Sequence, residues 1–250
     1  DISVEYVVSV EKPTNGNYLQ ETDTFDTWFS SSQWPVVTLK NNKTQDFERF
    51  YPTSVMETGY DILPFWVMRM MLLGIYMTNK TPFSHVYLHG LVRDQKGQKM
   101  SKSKGNVINP LEVKEEYGAD ALRMALVIRS TPGQDKSVGT PDFKAMRNLT
   151  NKVWNAARFV LLQKESPGET IVQTNGQKDN EFEKKLKTIV SDTTQQLEDF
   201  KLGMAAETIY NEFWHWYCDE CIEIGKNGEI SQEALLKGLV TFLKLLHPFM

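Results

Sequence analysis

The chain has 250 residues, of which 40% are hydrophobic and 24% are charged, so it is long enough for one large or two ordinary domains of a soluble protein. No apolar run reaches the roughly 18 residues of a membrane-spanning helix, and the first residues lack the features of a signal peptide. The chain begins without a methionine and ends inside an apolar helical pattern. We therefore expect it to be part of a longer protein.

The net charge of −4 argues against a general nucleic-acid binder. The positive charge is nevertheless concentrated in one place, because residues 80–105 contain six basic residues and one acidic residue. From residue 146 to the end there are 12 basic and 15 acidic residues, with no basic stripe evident in the sequence. Focused positive charge indicates a local polyanion, such as a polyphosphate.

The first 110 residues have the pattern of an α/β structure. Alternating residues predict a short strand pair in residues 1–20, and a strand followed by a turn is predicted over residues 51–59. A helix is expected from Asp61, which is also a plausible helix cap, and a second strand over residues 85–92. This order predicts a parallel α/β unit.

After residue 110 the pattern becomes helical. Helices are predicted over residues 111–117 and from residue 119, and residues 164–180 read as a polar loop. We divide the chain into residues 1–110, a linking segment 111–145 and a helical domain 146–250. Three apolar stripes predict the antiparallel bundle: Met146, Leu149, Val153, Ala157, Val160 and Leu161; Phe182, Leu186, Ile189, Val190, Thr193, Leu197 and Phe200; Leu235, Leu236, Leu239, Phe242, Leu243 and Leu246.

Two features of the helical part allow a functional and a structural interpretation. Cys218 and Cys221 form a C-x-x-C pair, but no further cysteine or suitable histidine pair completes a metal site. We expect two helical cysteines in a cytoplasmic protein and no bound metal. The nearby aromatic residues could stack on unpaired bases, although core packing is the simpler expectation: Phe213, Trp214, Trp216 and Tyr217.

The segment Lys96–Asn106 carries the sharpest chemical signal. Gly97 and Gly105 bracket a lysine- and serine-rich loop that follows the predicted strand. Lys99 and Lys102 are three positions apart, so a tight turn could direct both ammonium groups at one phosphate chain.

The motif Lys99–Ser103 reads KMSKS, and the chain resembles the class I aminoacyl-tRNA synthetases. Further motifs resemble the valyl branch: DTWFSS with WP over residues 26–35, TGYDI over residues 58–62, HGLVRD over residues 89–94, and NKVWNAARF over residues 151–159. The resemblance implies the C-terminal part of a Rossmann-type catalytic domain with the KMSKS loop, then a helical anticodon-binding bundle.

The resemblance also implies roles for individual residues. Lys99 and Lys102 would be catalytic, neutralising ATP phosphates as the amino-acid carboxylate attacks. The implied ATP-binding residues are Gly59, Asp61, His89, Gly90, Leu91, Val92, Lys99, Met100, Ser101, Lys102 and Ser103. Trp28, Ile62 and Trp66 would line the valine pocket, where core packing is the alternative. His89 could equally be a structural strand residue.

The implied reaction is activation of valine with ATP and Mg²⁺, then transfer to tRNA(Val). The family's second signature, HIGH, does not occur in this chain, and neither does an editing segment. We therefore expect the chain to be inactive by itself, with an N-terminal half carrying HIGH and the editing domain as its partner. Isoleucyl or leucyl specificity, or a non-catalytic RNA-binding module derived from a synthetase, remain alternatives.

Overall fold

A computed structural model of the chain describes residues 6–41, 45–163 and 176–250. The chain divides into two compact units. The first comprises Asp1–Ser54 and Leu63–Ser84, and the second comprises Val55–Ile62 and His85–Met250.

The described residues of the first unit contain four α-helices: α1 (Thr27–Ser31), α2 (Trp34–Lys40), α3 (Asp46–Phe50) and α4 (Met68–Thr78). The helical path into α4 starts irregularly, with a 3₁₀ turn at Tyr60–Ile62 and a π-helical turn at Leu63–Val67. Pro64 lies in this segment, and proline supplies no N–H for regular helical hydrogen bonding. The predicted helix is therefore confirmed, but Asp61 does not cap α4, whose N-cap is Val67.

The predicted strand pair at the start of the chain is wrong for the described residues 6–20, which contain no strand. Val8 and Val10 are fully exposed, so their alternation with polar residues buries nothing. An isolated two-stranded hairpin is marginal in water without a covered apolar face. Residues 1–5 lie outside the described residues.

One helical segment, Tyr60–Thr78, is long and apolar enough to cross a membrane by length and composition alone. Asp61 and Arg69 interrupt its apolar residues, which is why no uninterrupted apolar run is visible in the sequence. Core helices of soluble proteins share this length and composition. Within the first unit α4 packs against α1 and α2.

The strands form two small sheets. Strands β1 (Thr53–Gly59) and β2 (Phe83–His89) are hydrogen-bonded neighbours, and both confirm the sequence prediction. Strand β3 (Val92–Arg93) pairs in parallel with β4 (Lys136–Ser137), a strand that the sequence pattern did not predict. Residues 133–138 thus lie beside the chain that leaves β2.

The second unit is mainly helical and has one extensive core. Val113, Met124 and Phe143 from its first helices belong to the same buried cluster as Phe242 and Leu246 near the C-terminus. Its helices are α5 (Pro110–Tyr117), α6 (Ala119–Val127), α7 (Thr140–Gln163), α8 (Gln177–Glu198), α9 (Leu202–Asn211), a π-helical segment (Glu212–Cys221), α10 (Ile222–Lys226) and α11 (Gln232–Leu246).

The three predicted apolar stripes are confirmed except at their margins. Leu161 and Leu243 are exposed, because each lies at the edge of the buried face, beside the buried Val160 and Phe242 respectively. Phe200 lies beyond the end of α8 in a left-handed conformation (φ 58°), and its ring contacts His85 and Tyr87 instead of continuing the stripe. Most of the predicted loop 164–180 lies outside the described residues, and α8 begins at Gln177.

The aromatic residues of the π-helical segment belong to the core. Phe213, Trp216 and Tyr217 are buried, and Trp214 is packed against the same cluster with the Lys152 ammonium over its ring. Base stacking by these residues is therefore excluded in this conformation, since their ring faces are already covered. Cys218 and Cys221 are also buried, and burial raises the pKa of each thiol to about 12.

Candidate functional site

The turn after β1 brings three predicted ATP-binding residues together in the second unit. Gly59 is buried, and a Cβ placed on it would lie 2.6 Å from Asp61 Oδ1 and 3.5 Å from His89 Cε1. The absence of a side chain at residue 59 thus makes room for the carboxylate and the imidazole. Asp61 and His89 are both exposed, and the Asp61 carboxylate is open to a ligand.

His89 is held by its neighbours rather than pointing freely into solvent. Its Nδ1 lies 2.9 Å from the Gly90 carbonyl oxygen, and its Nε2 lies 3.3 Å from Glu57 Oε1. The second contact is an ion pair only when the imidazole is protonated. The structural role expected as an alternative for His89 is therefore present, together with its proximity to Gly59.

The predicted backbone strip Gly90–Val92 packs against residues 133–138. The Gly133 N–H donates to the Leu88 carbonyl (2.8 Å), and the Lys136 N–H donates to the Leu91 carbonyl (3.0 Å). A Cβ on Gly90 would lie 1.7 Å from the Gln134 carbonyl oxygen, a distance no real structure tolerates. Glycine is required at position 90 because two backbone segments touch there.

The signature loop is a tight, locally hydrogen-bonded structure. The bracketing glycines, Gly97 (φ 74°) and Gly105 (φ 65°), both adopt the left-handed conformation that glycine tolerates without strain. The Ser101 hydroxyl accepts a hydrogen bond from the Lys104 N–H and caps the 3₁₀ turn Lys102–Lys104. Ser101 and Ser103 thus serve the loop itself, since their hydroxyl oxygens lie 3.2 Å apart.

Asp94 and Asn106 close the base of this loop. The Asn106 amide donates to Asp94 Oδ2 (2.8 Å), and its oxygen accepts from the Ser101 N–H (2.9 Å). Asp94 Oδ1 also accepts from the backbone N–H groups of Lys96 and Gln98. The Asn106 hydrogen bond and these backbone donors lower the pKa of Asp94, so the carboxylate stays ionised and keeps accepting them.

The loop lysines have no internal counter-charge. Within residues 6–41, 45–163 and 176–250, no ion pair involves Lys99, Lys102 or Lys104, and all three are exposed. The nearby Asp94 is already occupied by the loop base. The lysines are therefore available to an external anion, for which a polyphosphate has the matching charge.

The two tryptophans predicted for the amino-acid pocket lie in the first unit and are partly exposed. Trp28 stacks on Phe65 with ring centroids 5.9 Å apart, and the Trp66 Nε1–H donates to the Ser31 carbonyl (3.1 Å). Neither ring is fully buried, as pure core packing would require. Ile62, the third predicted member, belongs to the second unit and is partly buried.

The sequence did not identify the residues that support the site through hydrogen bonds to its other residues. Asp94 and Asn106 were only parts of quoted motifs, and Asp135 was not singled out. An Asp or Asn at each foot of a glycine-bracketed loop is a signal that could have found the first pair. No local pattern identifies Asp135, because its contacts are 42 and more residues away.

Comparison with known families gives two matches. Residues 2–139 match the family of class I tRNA synthetases for isoleucine, leucine, methionine and valine. Residues 179–250 match the anticodon-binding domain of tRNA ligases. Residues 2–139 are more than half of the chain, and they contain the loop, Gly59, Asp61 and His89.

Curated relatives are valine–tRNA ligases. The enzyme from Thermotoga maritima is 44% identical over 257 aligned residues, which include all of this chain. The enzyme from Latilactobacillus sakei is 43% identical and covers 98% of this chain. The chain spans about 30% of the length of each of these relatives.

Solved structures share the fold. A ternary complex of Agrobacterium radiobacter K84 agnB2 LeuRS, tRNA and LeuAMS has a TM-score of 0.78 over 92% of this chain and 31% of that chain, at 24% identity. Mycobacterium tuberculosis methionyl-tRNA synthetase with methionyl-adenylate has a TM-score of 0.63 over 84% of this chain and 44% of that chain, at 19% identity. The Rossmann-type part followed by a helical anticodon-binding bundle is thus confirmed. The chain belongs to the class I tRNA synthetases of the isoleucine, leucine, methionine and valine group.

Proposed function

We propose that this chain supplies the KMSKS side of the active site and part of the tRNA-binding region of a valine–tRNA ligase. The observation that carries the proposal is the signature loop, in which Lys99 and Lys102 are exposed and free of ion pairs among the described residues. Identities of 40–44% to valine–tRNA ligases support valine over isoleucine or leucine. The substrates would be valine, ATP with Mg²⁺, and tRNA(Val).

In the proposed reaction a carboxylate oxygen of valine attacks the α-phosphorus of ATP, and the bond to the pyrophosphate oxygen breaks. Negative charge builds up on the leaving pyrophosphate. Lys99 and Lys102 would neutralise that charge, and no protein nucleophile is needed. The valyl-adenylate formed would then pass its acyl group to the terminal ribose of the tRNA, releasing AMP.

The remaining ATP contacts are those that the family resemblance implies, and the proximity of Gly59, Asp61 and His89 supports them. We assign the ribose hydroxyls to the Asp61 carboxylate, which lies beside Gly59. The backbone of Gly90, Leu91 and Val92 would flank the adenine, with His89 at its edge. The valine pocket of Trp28, Ile62 and Trp66 stays a prediction that the family resemblance implies.

The tRNA contact is supported by the exposed face of α7, which the sequence alone did not show as a basic stripe. The face carries three basic residues and no acidic one, and Trp154 on it is 72% exposed. Arg and Lys suit phosphates, and amide side chains suit ribose hydroxyls and base edges. The face consists of Lys144, Arg147, Asn148, Asn151, Trp154, Asn155, Arg158, Leu161 and Leu162.

The first unit presents an apolar face that fits a missing part of the same enzyme. Phe65, Met68, Leu72 and Tyr76 follow one face of the helical segment around α4, and all are exposed. Solvent-exposed apolar faces of this kind mark interaction surfaces. Because the relatives are about three times longer, we propose that the catalytic segment with the HIGH signature covers this face.

The proposed function is tested on the full-length protein that contains this chain. Valine-dependent exchange of pyrophosphate into ATP should exceed the exchange with isoleucine or leucine by about a hundredfold or more. Equal pyrophosphate exchange with isoleucine would contradict specificity for valine within the isoleucine, leucine, methionine and valine group. No exchange with any amino acid, together with retained tRNA binding, would favour a non-catalytic RNA-binding protein.

A further inference from the structure

Three separate parts of the second unit converge on the carboxylate of Asp135. The Leu91 N–H donates to Oδ1 at 2.9 Å, and the Arg93 guanidinium donates to Oδ2 through two of its nitrogens. The Tyr60 hydroxyl lies close to the same carboxylate, which raises the pKa of Tyr60. The Asp135 side chain is only 18% exposed, so these donors replace most of its hydration.

Tyr60, Leu91 and Arg93 each belong to a different segment of the proposed ATP site. Tyr60 lies between Gly59 and Asp61, the residues assigned to the ribose. Leu91 is in the middle of the backbone strip assigned to the adenine. Arg93 begins the signature loop: its backbone forms a β-bridge with Lys99, and its side chain also donates to the Gly97 carbonyl at 3.3 Å.

Near neutral pH, Asp135 stays ionised and Tyr60 stays protonated. The Leu91 N–H, followed by Arg93 and Tyr60, lowers the pKa of Asp135, so the carboxylate is ionised. The nearby Asp135 carboxylate raises the pKa of Tyr60, so the phenol keeps its proton. A charged acceptor gives stronger and shorter hydrogen bonds than a neutral one, which applies to the bonds from Leu91 and Arg93.

We propose that Asp135 is a positioning residue that sets the ribose turn, the adenine strip and the base of the KMSKS loop in register for ATP. This inference rests on the proposed function, because the ribose turn, the adenine strip and the KMSKS loop are assigned to ATP binding there. Asp135 itself touches no substrate in this arrangement. It acts through Tyr60, Leu91 and Arg93.

The first test uses the 250-residue chain and hydrogen–deuterium exchange. Asp135→Asn keeps one oxygen acceptor but removes the charge, and Glu207→Gln removes an equivalent carboxylate from its exposed ion pair with Arg129. Asp135→Asn should speed exchange about tenfold or more in residues 57–62, 88–93 and 96–106, while α11 is unchanged. Glu207→Gln should leave these three segments as they are.

The second test uses the full-length enzyme and separates the two Michaelis constants. Asp135→Asn should raise KM for ATP about tenfold or more and change KM for valine less than about twofold. Tyr60→Phe should raise KM for ATP less, and combining it with Asp135→Asn should add little, since both weaken the same contact between Tyr60 and Asp135. Asp135→Glu, which restores the charge, should recover part of the ATP affinity.

The outcomes separate this inference from the proposed function. If the unaltered enzyme shows no amino-acid-dependent exchange, the proposed function fails, and the hydrogen exchange data still decide whether Asp135 couples the three segments. Two hydrogen-exchange results for Asp135→Asn would overturn the inference: faster hydrogen exchange throughout the second unit, or no faster hydrogen exchange in any of the three segments. Equal rises in both Michaelis constants would reduce Asp135 to a general structural residue.

Discussion

At the scale of single residues, the site separates groups that are free to bind from groups that are already engaged. Lys99 and Lys102 have no partner carboxylate among the described residues, whereas Ser101, Asp94 and Asn106 are engaged in building the loop. The chemistry therefore depends on few side chains, which their neighbours hold in place. Substitutions should divide accordingly into those that change catalysis and those that change folding.

Lys102→Ala should reduce valine-dependent exchange by the full-length enzyme about 10²- to 10³-fold, because it removes charge stabilisation that develops during phosphoryl transfer. The side chain is exposed and unpaired among the described residues, so the melting temperature should not change. Lys104→Ala is the matched control: the same 3₁₀ turn, the same charge and an exposed side chain outside the five-letter signature. Equal losses in both variants would contradict a specific role for Lys102.

Gly90→Ala should lower the free energy of unfolding by more than about 2 kcal/mol, because the added Cβ collides with the backbone of Gln134. Gly105→Ala has nothing within 4 Å of its Cβ and should cost only about 1 kcal/mol from its left-handed backbone. Urea denaturation of the two variants measures the difference. Similar costs would mean that residues 133–138 move aside.

Cys218 and Cys221 should react slowly with a thiol reagent at pH 8 in the folded chain. Burial raises both thiol pKa values to about 12, so the reactive thiolate is about a thousandfold scarcer than in a free cysteine. The same shift predicts stability that is fully present below the ordinary thiol pKa and falls as the pH rises from about 9 toward 12. Rapid labelling at pH 8, with full labelling in urea as the reference, would show that the π-helical segment opens.

At the scale of secondary-structure elements, α7 has two opposite faces. Met146, Leu149 and Val160 are buried in the core, while the other face is basic, rich in asparagine and carries the exposed Trp154. In our proposal the apolar face of α7 stabilises the core, and the basic face contacts RNA. The face offers phosphate-binding cations and an aromatic ring over several helical turns.

Arg158→Ala and Trp154→Ala should each weaken tRNA binding by the full-length enzyme about tenfold, without changing valine-dependent pyrophosphate exchange. Lys152→Ala is the control on the same helix, since its ammonium is already paired with Asp219 at 2.8 Å. Binding measured at two salt concentrations should show a shallower salt dependence for Arg158→Ala only. Unchanged binding in both test variants would remove α7 from the RNA contact.

The sequence predicted elements well where burial is periodic and poorly where contacts are distant. The strands around residues 53–59 and 83–89 and the helices from Pro110 onward were predictable from apolar periodicity and turn residues. Strand β4 was not, because two residues carry no pattern and its partner is more than 40 residues away. The predicted strand pair is wrong over residues 6–20, because alternation of apolar and polar residues gives a strand only when another strand pairs with it.

At the scale of the whole molecule, the site residues that could be predicted are those that a signature marks. KMSKS, Gly59 and Asp61 were found from their motifs, and Gly59, Asp61 and His89 do come together. The supporting residues Asp135 and Asn106 depend on tertiary contacts that no local pattern reveals. The chain covers about 30% of its relatives' length, and its first unit exposes an apolar helical face; both support our proposal that a further segment completes the active site.

The most direct test of the central claim mixes this chain with a second fragment that carries the HIGH signature and measures valine-dependent ATP–pyrophosphate exchange. We expect no exchange by either fragment alone, exchange with valine in the mixture, and loss of that exchange when this chain carries Lys102→Ala. Exchange by this chain alone would contradict the division of the active site. A mixture that forms a complex but gives no exchange, or exchange that survives Lys102→Ala, would contradict the role given to the loop.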